Sequence, residues 1–189
     1  MNTNVCPEMS RNIDIPKIEE MLAQYPIYQY GFLKSEEVEY TEKVRMVCKI
    51  ECGRYGKSWS CPPAVGTVDE CRERCLKYPY ALFFSTVNHV VDSMNFTELL
   101  ATKAEHEVIT AEVEKHLKDA GYEIYRMSGE SCSVCKECTC PDALCRFPEK
   151  MHPCIESHGI VVAKLTDDLE MDYYIDEHEQ LWFTLIYFK

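Results

Sequence analysis

The chain has 189 residues, 46% of them apolar, and a net charge of −12. A chain of this length can bury a sizeable core without disulfides, and its acidity excludes the clustered lysine and arginine that nucleic acid or an anionic membrane surface requires. No apolar run approaches the ~20 residues that cross a bilayer. The N-terminus, MNTNVCPEMSRNIDIP, lacks the apolar core of a secretory signal, so the sequence predicts one cytoplasmic domain over 1–189.

Residues 14–24 (DIPKIEEMLAQ) read as a short amphipathic helix, with Pro16 near its start and Pro26 just past its end. Residues 36–47 (EEVEYTEKVRMV) carry β-branched residues in partial alternation and predict a strand that runs into Cys48. Gly53, Gly56, Gly66 and the Pro62-Pro63 pair then break regular structure. Thr67 with Glu70 is a capping box and predicts a helix, VDECRERCLKY, bearing Cys71 and Cys75 one turn apart.

Residues 80–87 (YALFFSTV) form a continuous apolar run that predicts a buried strand. The longest helix is expected over 97–120, with an apolar stripe of Leu100, Ala104, Val108, Ala111, Val113, Leu117 and Ala120 and with Gly121 closing it. A strand over 122–127, a loop over 129–157 and strands over 159–165 (GIVVAKL) and 181–188 (LWFTLIYF) follow. The acidic stretch 166–179 fits either a short helix or a loop. The order predicts an α/β chain of the α+β type: a helix-covered central sheet with two cysteine-rich metal-binding loops, at 48–75 and 129–157, gathered at one end.

Cysteine placement carries the chemistry. Twelve cysteines in a reducing compartment favour metal ligation over a disulfide framework. Cys132, Cys135 and Cys138 recur at x2 spacing, and Cys145 follows within CRFPEK. Four thiolates make the usual ligand set of a [4Fe–4S] cluster, and three consecutive cysteines at this spacing fit a cubane better than the two separated pairs of a tetrahedral zinc site. Cys140 could substitute for Cys138 or Cys145.

Cys48, Cys52 and Cys61 form a second set, C-x3-C-x8-C, and leave one position to fill. Cys71, Cys75, Cys154 or a non-protein ligand could fill it, and Cys71 and Cys75 read equally as small buried residues on a helix face. Tyr55 and Trp59 are expected to shield this centre. The six histidines show no paired-ligand helix motif, and Cys6 is given no role. No phosphate-cradling glycine motif and no nucleophile elbow is present, so nucleotide binding and serine hydrolase chemistry have no support.

Cys48-x3-Cys52-x2-Tyr55-Gly56-x2-Trp59-x-Cys61-Pro62-Pro63, Cys132-x2-Cys135-x2-Cys138, and Cys145-Arg146-x-Pro148-Glu149-Lys150 with Pro153, Glu156 and Gly159-Ile160 together resemble the domain-of-unknown-function 2284 family. These are predicted metal-binding proteins of anaerobic bacteria and archaea. The resemblance covers about residues 45–165 and implies metal binding at Cys48, Cys52, Cys61, Cys132, Cys135, Cys138 and Cys145. Cys154 stands where a small hydroxyl residue is more usual, and Cys71, Cys75 and Cys140 look like additions.

The reading favoured by these residues is a protein with two [4Fe–4S] clusters that passes single electrons to a redox partner protein in anaerobic metabolism. Two others stay open: an enzyme with an open iron at Cys48, Cys52 and Cys61, and an interaction module pinned by structural zinc. The sequence leaves oligomeric state and catalytic residues undetermined.

Overall fold

A computed structural model describes residues 13–189. The first helix, α1 (Ile15–Leu22), is capped by Asp14, whose side chain accepts the Lys17 N–H at 3.2 Å. A strand follows, β1 (Gln29–Lys34), which the sequence reading does not contain. Six residues interrupted by Gly31 give too little alternation to read. A Cβ at Gly31 would meet Leu169 Cδ2 at 2.9 Å, so the glycine lets a leucine side chain pack on the strand.

The strand expected over 36–47 is instead a one-turn 3-10 segment (Ser35–Glu37) followed by a helix, α2 (Glu42–Glu51). Thr41 decides it: its side chain accepts the Lys43 N–H at 3.2 Å, an N-cap that outweighs the β-branched content of the following residues. The capping box at Thr67 and Glu70 does start a helix, α3 (Val68–Cys75).

Strand β2 (Tyr80–His89), helix α4 (Phe96–Asp119), strand β3 (Ile124–Ser128), helix α5 (Val162–Asp168) and strand β4 (Glu179–Phe188) complete the described chain. The strand expected over 159–165 is thus helix α5, whose buried Val162, Leu165 and Thr166 fall at helical spacing rather than in alternation.

The four strands form one antiparallel sheet in the order β1-β2-β4-β3. Period-two alternation along β2 and β4 divides the core. Ala81, Phe83, Leu181, Phe183, Leu185 and Tyr187 face one side, with Met127, Ile155, Ile160, Val162 and Leu165. Leu82, Phe84, Ile186 and Phe188 face the other, against Ile15, Ile18 and Leu22 of α1 and Val113 and Leu117 of α4.

Helix α4 departs from its expected stripe. Leu100 and Val108 are exposed, and the buried residues are Thr102, Lys103, His106, Thr110, Val113 and Leu117. Hydrogen bonds explain how this polar face is tolerated. The two ring nitrogens of His106 lie 2.8 Å from Thr86 Oγ1 and 2.8 Å from Thr184 Oγ1, and the Trp182 indole donates to Thr102 Oγ1 at 3.0 Å.

Burial pushes the His106 pKa down to about 4, with the charges of Lys103 and Arg126 adding to the effect and Glu107 opposing it. Burial, Arg74 and Arg45 push His158 down to about 3. Between the ordinary histidine value of 6.5 and these lowered values, the unfolded chain takes up protons that the folded chain refuses. Stability present above pH 6.5 is therefore lost as pH falls toward 4. The His106 share is at most about 3 kcal/mol, from ~1.36 kcal/mol per pKa unit. Melting curves across this range should slope less steeply for His106→Gln than for the parent.

Candidate metal centre

Because Cys48 lies in the last turn of α2 and Cys52 is its C-cap, C-x3-C spacing sets both thiols on one face of the helix end. Val44, Val47 and Glu51 share that face, and together they line one wall of a cavity of about 360 Å³. Tyr55, Cys61, Pro62, Glu130, Ser131, Cys154 and Glu156 line the rest. Four thiols from three separate stretches of chain therefore meet at one cavity: Cys48, Cys52, Cys61 and Cys154.

Cys154 is held there by the sheet. Ser128, the last residue of β3, bridges to it: the Ser128 N–H donates to Pro153 O at 3.2 Å and the Ile155 N–H to Ser128 O at 3.1 Å. A 3-10 turn (Glu156–His158) follows and ends at Gly159 with φ 79°. Only a residue without Cβ fits, since a Cβ would stand 3.0 Å from Thr41 O and from Val68 Cγ2. Arg45 locks α2 to this turn by donating to Ser157 O and Gly66 O.

Burial and the neighbouring Cys52 and Glu156 push the Cys48 thiol up to about 11, against the pull of Arg45. Burial likewise raises Cys61 and Cys154. Burial also raises the Glu156 carboxyl, whose Oε2 has no hydrogen-bond partner among the described residues. Negative charge is thus disfavoured here until a cation enters, and metal binding would release protons.

The second set lies on the loop after β3. Cys132, Cys135, Cys138, Cys140 and Cys145 are all half-buried. Burial opposes ionisation of Cys138, but its sulfur receives the N–H groups of Cys140, Trp59 and Thr139 and the hydroxyl of Ser58, and the pKa falls below the usual thiol value. Those donors favour the charged form of this sulfur.

The two loops interlock. The Trp59 indole donates to Ala143 O at 3.0 Å, the Cys132 N–H to Ser60 Oγ at 3.0 Å, and Cys140 Sγ lies 4.0 Å from Gly56 O. Trp59 therefore clamps the second loop in addition to any shielding of the first centre. The expectation that both loops follow a strand holds for the second and fails for the first, which leaves helix α2.

Cys71 and Cys75 sit elsewhere. Both are fully buried on α3. Cys71 lies 3.4 Å from Val65 O and 3.9 Å from Arg74 Nη1, and Cys75 packs in the core beside the hydroxyls of Tyr40 and Tyr187, which lie 2.8 Å apart. Cys6 lies outside the described residues. His158 is packed against Tyr125, whose hydroxyl is 2.8 Å from its Nε2. His152 joins a buried charge cluster with Glu107 and Arg126.

No group of three or more His, Cys, Asp or Glu side chains among the described residues is arranged to hold a metal ion as it stands. A lone tetrahedral zinc ion at Zn–S ~2.3 Å would need the four thiols drawn inward. The donor chemistry nevertheless fits a larger thiolate-bound group: four thiols face one cavity, and hydrogen-bond donors lower the pKa of Cys138 in the other set. Sequence reasoning missed Ser58, Ser60 and Arg45, and gave Glu156 no role beyond its place in the family motif. The pair of small hydroxyl residues flanking Trp59 just before Cys61 was the visible signal.

Two interlocked thiol sets on an antiparallel α+β scaffold define a class of candidate cysteine-based metal proteins. The chain belongs to the family described as predicted metal-binding protein (DUF2284), which matches residues 31–188. No curated protein and no solved structure matches it.

Proposed function

We propose that this metal-binding protein carries two [4Fe–4S] clusters and passes single electrons to a partner protein. The observation that carries the proposal is the interlocking of the two thiol sets through Ser58, Trp59 and Ser60, which would keep two centres close enough to exchange electrons. Cys48, Cys52, Cys61 and Cys154 would hold one cluster. Cys132, Cys135, Cys138 and Cys145 would hold the other, with Cys140 beside them. When bound, the clusters supply reversible one-electron chemistry.

The chain's own residues supply the rest. N–H and hydroxyl donors at Cys138 favour the more negative state of the centre it serves, and burial around Cys61 and Cys154 disfavours it at the other. Helix α2 has no buried residue and exposes Val47, which lines the same cavity as Cys48, an apolar rim against which a partner with a basic surround could dock on this acidic chain.

Cys154 at the first cavity favours a closed four-thiol site over an enzyme with an open iron. Anaerobically purified protein should contain about eight iron and eight acid-labile sulfide per chain, two cubanes of four, and give EPR signals on dithionite reduction. Stoichiometric zinc without iron or sulfide would overturn the proposal in favour of a structural zinc module.

A further inference from the structure

Val108 and Ala111 belong to the apolar stripe expected on α4, yet neither enters the core, and Val108 is 61% exposed. Both line a second cavity, of about 650 Å³, which shares no lining residue with the thiol cavity. Glu107, Ala111, Glu114 and Lys118 recur at helical spacing, so one face of α4 forms a wall. Strand β3 adds Ile124 and Arg126. Val134, an exposed apolar residue between Cys132 and Cys135, and Lys150 to Pro153, just before Cys154, complete the lining. A space of this size, with apolar walls and a few convergent polar groups, suits a small molecule.

Charge selects the kind of molecule. Lys103, Arg126 and Lys118 are three cations paired with only two carboxylates, Glu107 and Glu114. Lys150 adds a cation at the exposed rim and Glu149 a carboxylate, so the surroundings keep a positive excess on an acidic chain. Lys150 lies close to the ion-paired cluster: His152 Nδ1 is 3.3 Å from Lys150 O and 3.0 Å from Arg126 Nη2. Arg126 Nε is buried and has no acceptor among the described residues. A cationic ligand would find Glu107 and Glu114 already paired, whereas an anion meets charge that nothing answers.

We propose that this cavity binds a small organic anion, a carboxylate on an apolar body. The body rests on Val108, Ala111 and Val134, and the carboxylate meets Lys150 and the cation-rich side at Arg126. The proposal needs no metal at either thiol set, so it and the two-cluster reading stand or fall separately.

Benzoate and benzylamine, one ring with opposite charges, are the probes, titrated by calorimetry into the anaerobically purified protein. Benzoate should bind saturably with a dissociation constant of about 1 mM, within reach of a ligand of this size. Benzylamine should bind at least about tenfold more weakly, the lower end of what a hydrogen bond to a charged group contributes. Ala111→Trp, which fills the cavity, should abolish benzoate binding. Lys150→Glu should weaken it about tenfold.

Both substituted positions are exposed, so neither change removes core packing, and an unchanged melting temperature checks the fold. Lys150→Glu carries the test if the tryptophan variant does not fold. No saturable binding of benzoate, equal binding of benzylamine, or benzoate binding that survives these substitutions at full strength would overturn the proposal. The last outcome would place the benzoate elsewhere, including at metal in the thiol sets.

Discussion

Cys154→Ala should halve the metal content of the protein, whereas Cys71→Ala and Cys75→Ala should leave it unchanged. The difference follows from position. Cys154 shares the cavity of Cys48, Cys52 and Cys61, pinned there by its backbone bridge to Ser128. Cys71 and Cys75 face Val65, Arg74, Tyr40 and Tyr187 inside the core. Removing a buried sulfur from α3 deletes packing and should lower the melting temperature modestly. Removing the Cys154 sulfur deletes a ligand. Metal analysis of the three variants beside the parent decides it, and full metal content in Cys154→Ala would reopen the first site to a non-protein ligand.

Glu107→Gln should destabilise the fold by about 3–5 kcal/mol, the range for removing one partner of a buried ion pair. Glu107 Oε2 lies 2.6 Å from Arg126 Nη2 and 3.1 Å from His152 Nε2. Its Oε1 accepts the Ser128 hydroxyl at 2.6 Å and the Lys103 ammonium at 3.3 Å. Burial alone would raise this carboxyl, but the His152 bond and the charges of Lys103 and Arg126 hold it well below the ordinary value of 4.5.

The amide would leave Lys103 buried without a countercharge and Arg126 with Glu114 alone, at 2.8 Å. The contribution of Glu107 is present above pH 4.5 and fades as pH falls below it, an acid limb distinct from the histidine one. For a chain of this size the melting temperature should drop on the order of 10 °C, from ~2–4 °C per kcal/mol. Breaking the exposed Lys115–Asp119 or Lys164–Asp168 pair should change it little. Equal melting temperatures for Glu107→Gln and those surface variants would refute the account.

Local signals made part of this fold readable. The capping box at Thr67 and Glu70, the apolar runs of β2 and β4 and the length of α4 are written in adjacent residues. What failed was decided by partners distant in sequence. The α2 segment looked like a strand because its valines suit one, yet Thr41 caps it as a helix and Arg45 ties it to Ser157.

The stripe on α4 was misplaced because Thr102, His106 and Thr110 turn inward only if threonines and a tryptophan on β2 and β4 answer them. The candidate site shows the same division. Spacing marks out the two groups of cysteines, but Cys154 reaches the first only through its bridge to β3. Ser58 and Ser60 acquire meaning only when the second loop folds over them.

The placement of Cys154 also bears on how the protein is made. A centre joining Cys48 to Cys154 would close a loop of 154 − 48 = 106 residues, more than half of the chain, and that loop contains the whole second cysteine cluster. By the chain-entropy arithmetic for covalent cross-links, closing a loop of ~100 residues is worth about 4.7 kcal/mol. During synthesis, Cys48, Cys52 and Cys61 would leave the ribosome long before their fourth partner, so the first centre would be completed only after every cysteine of the second had emerged. Metal there would act as a staple across the segment that carries β2 and β3, and the order of loading would follow the order in which complete sets of cysteines emerge.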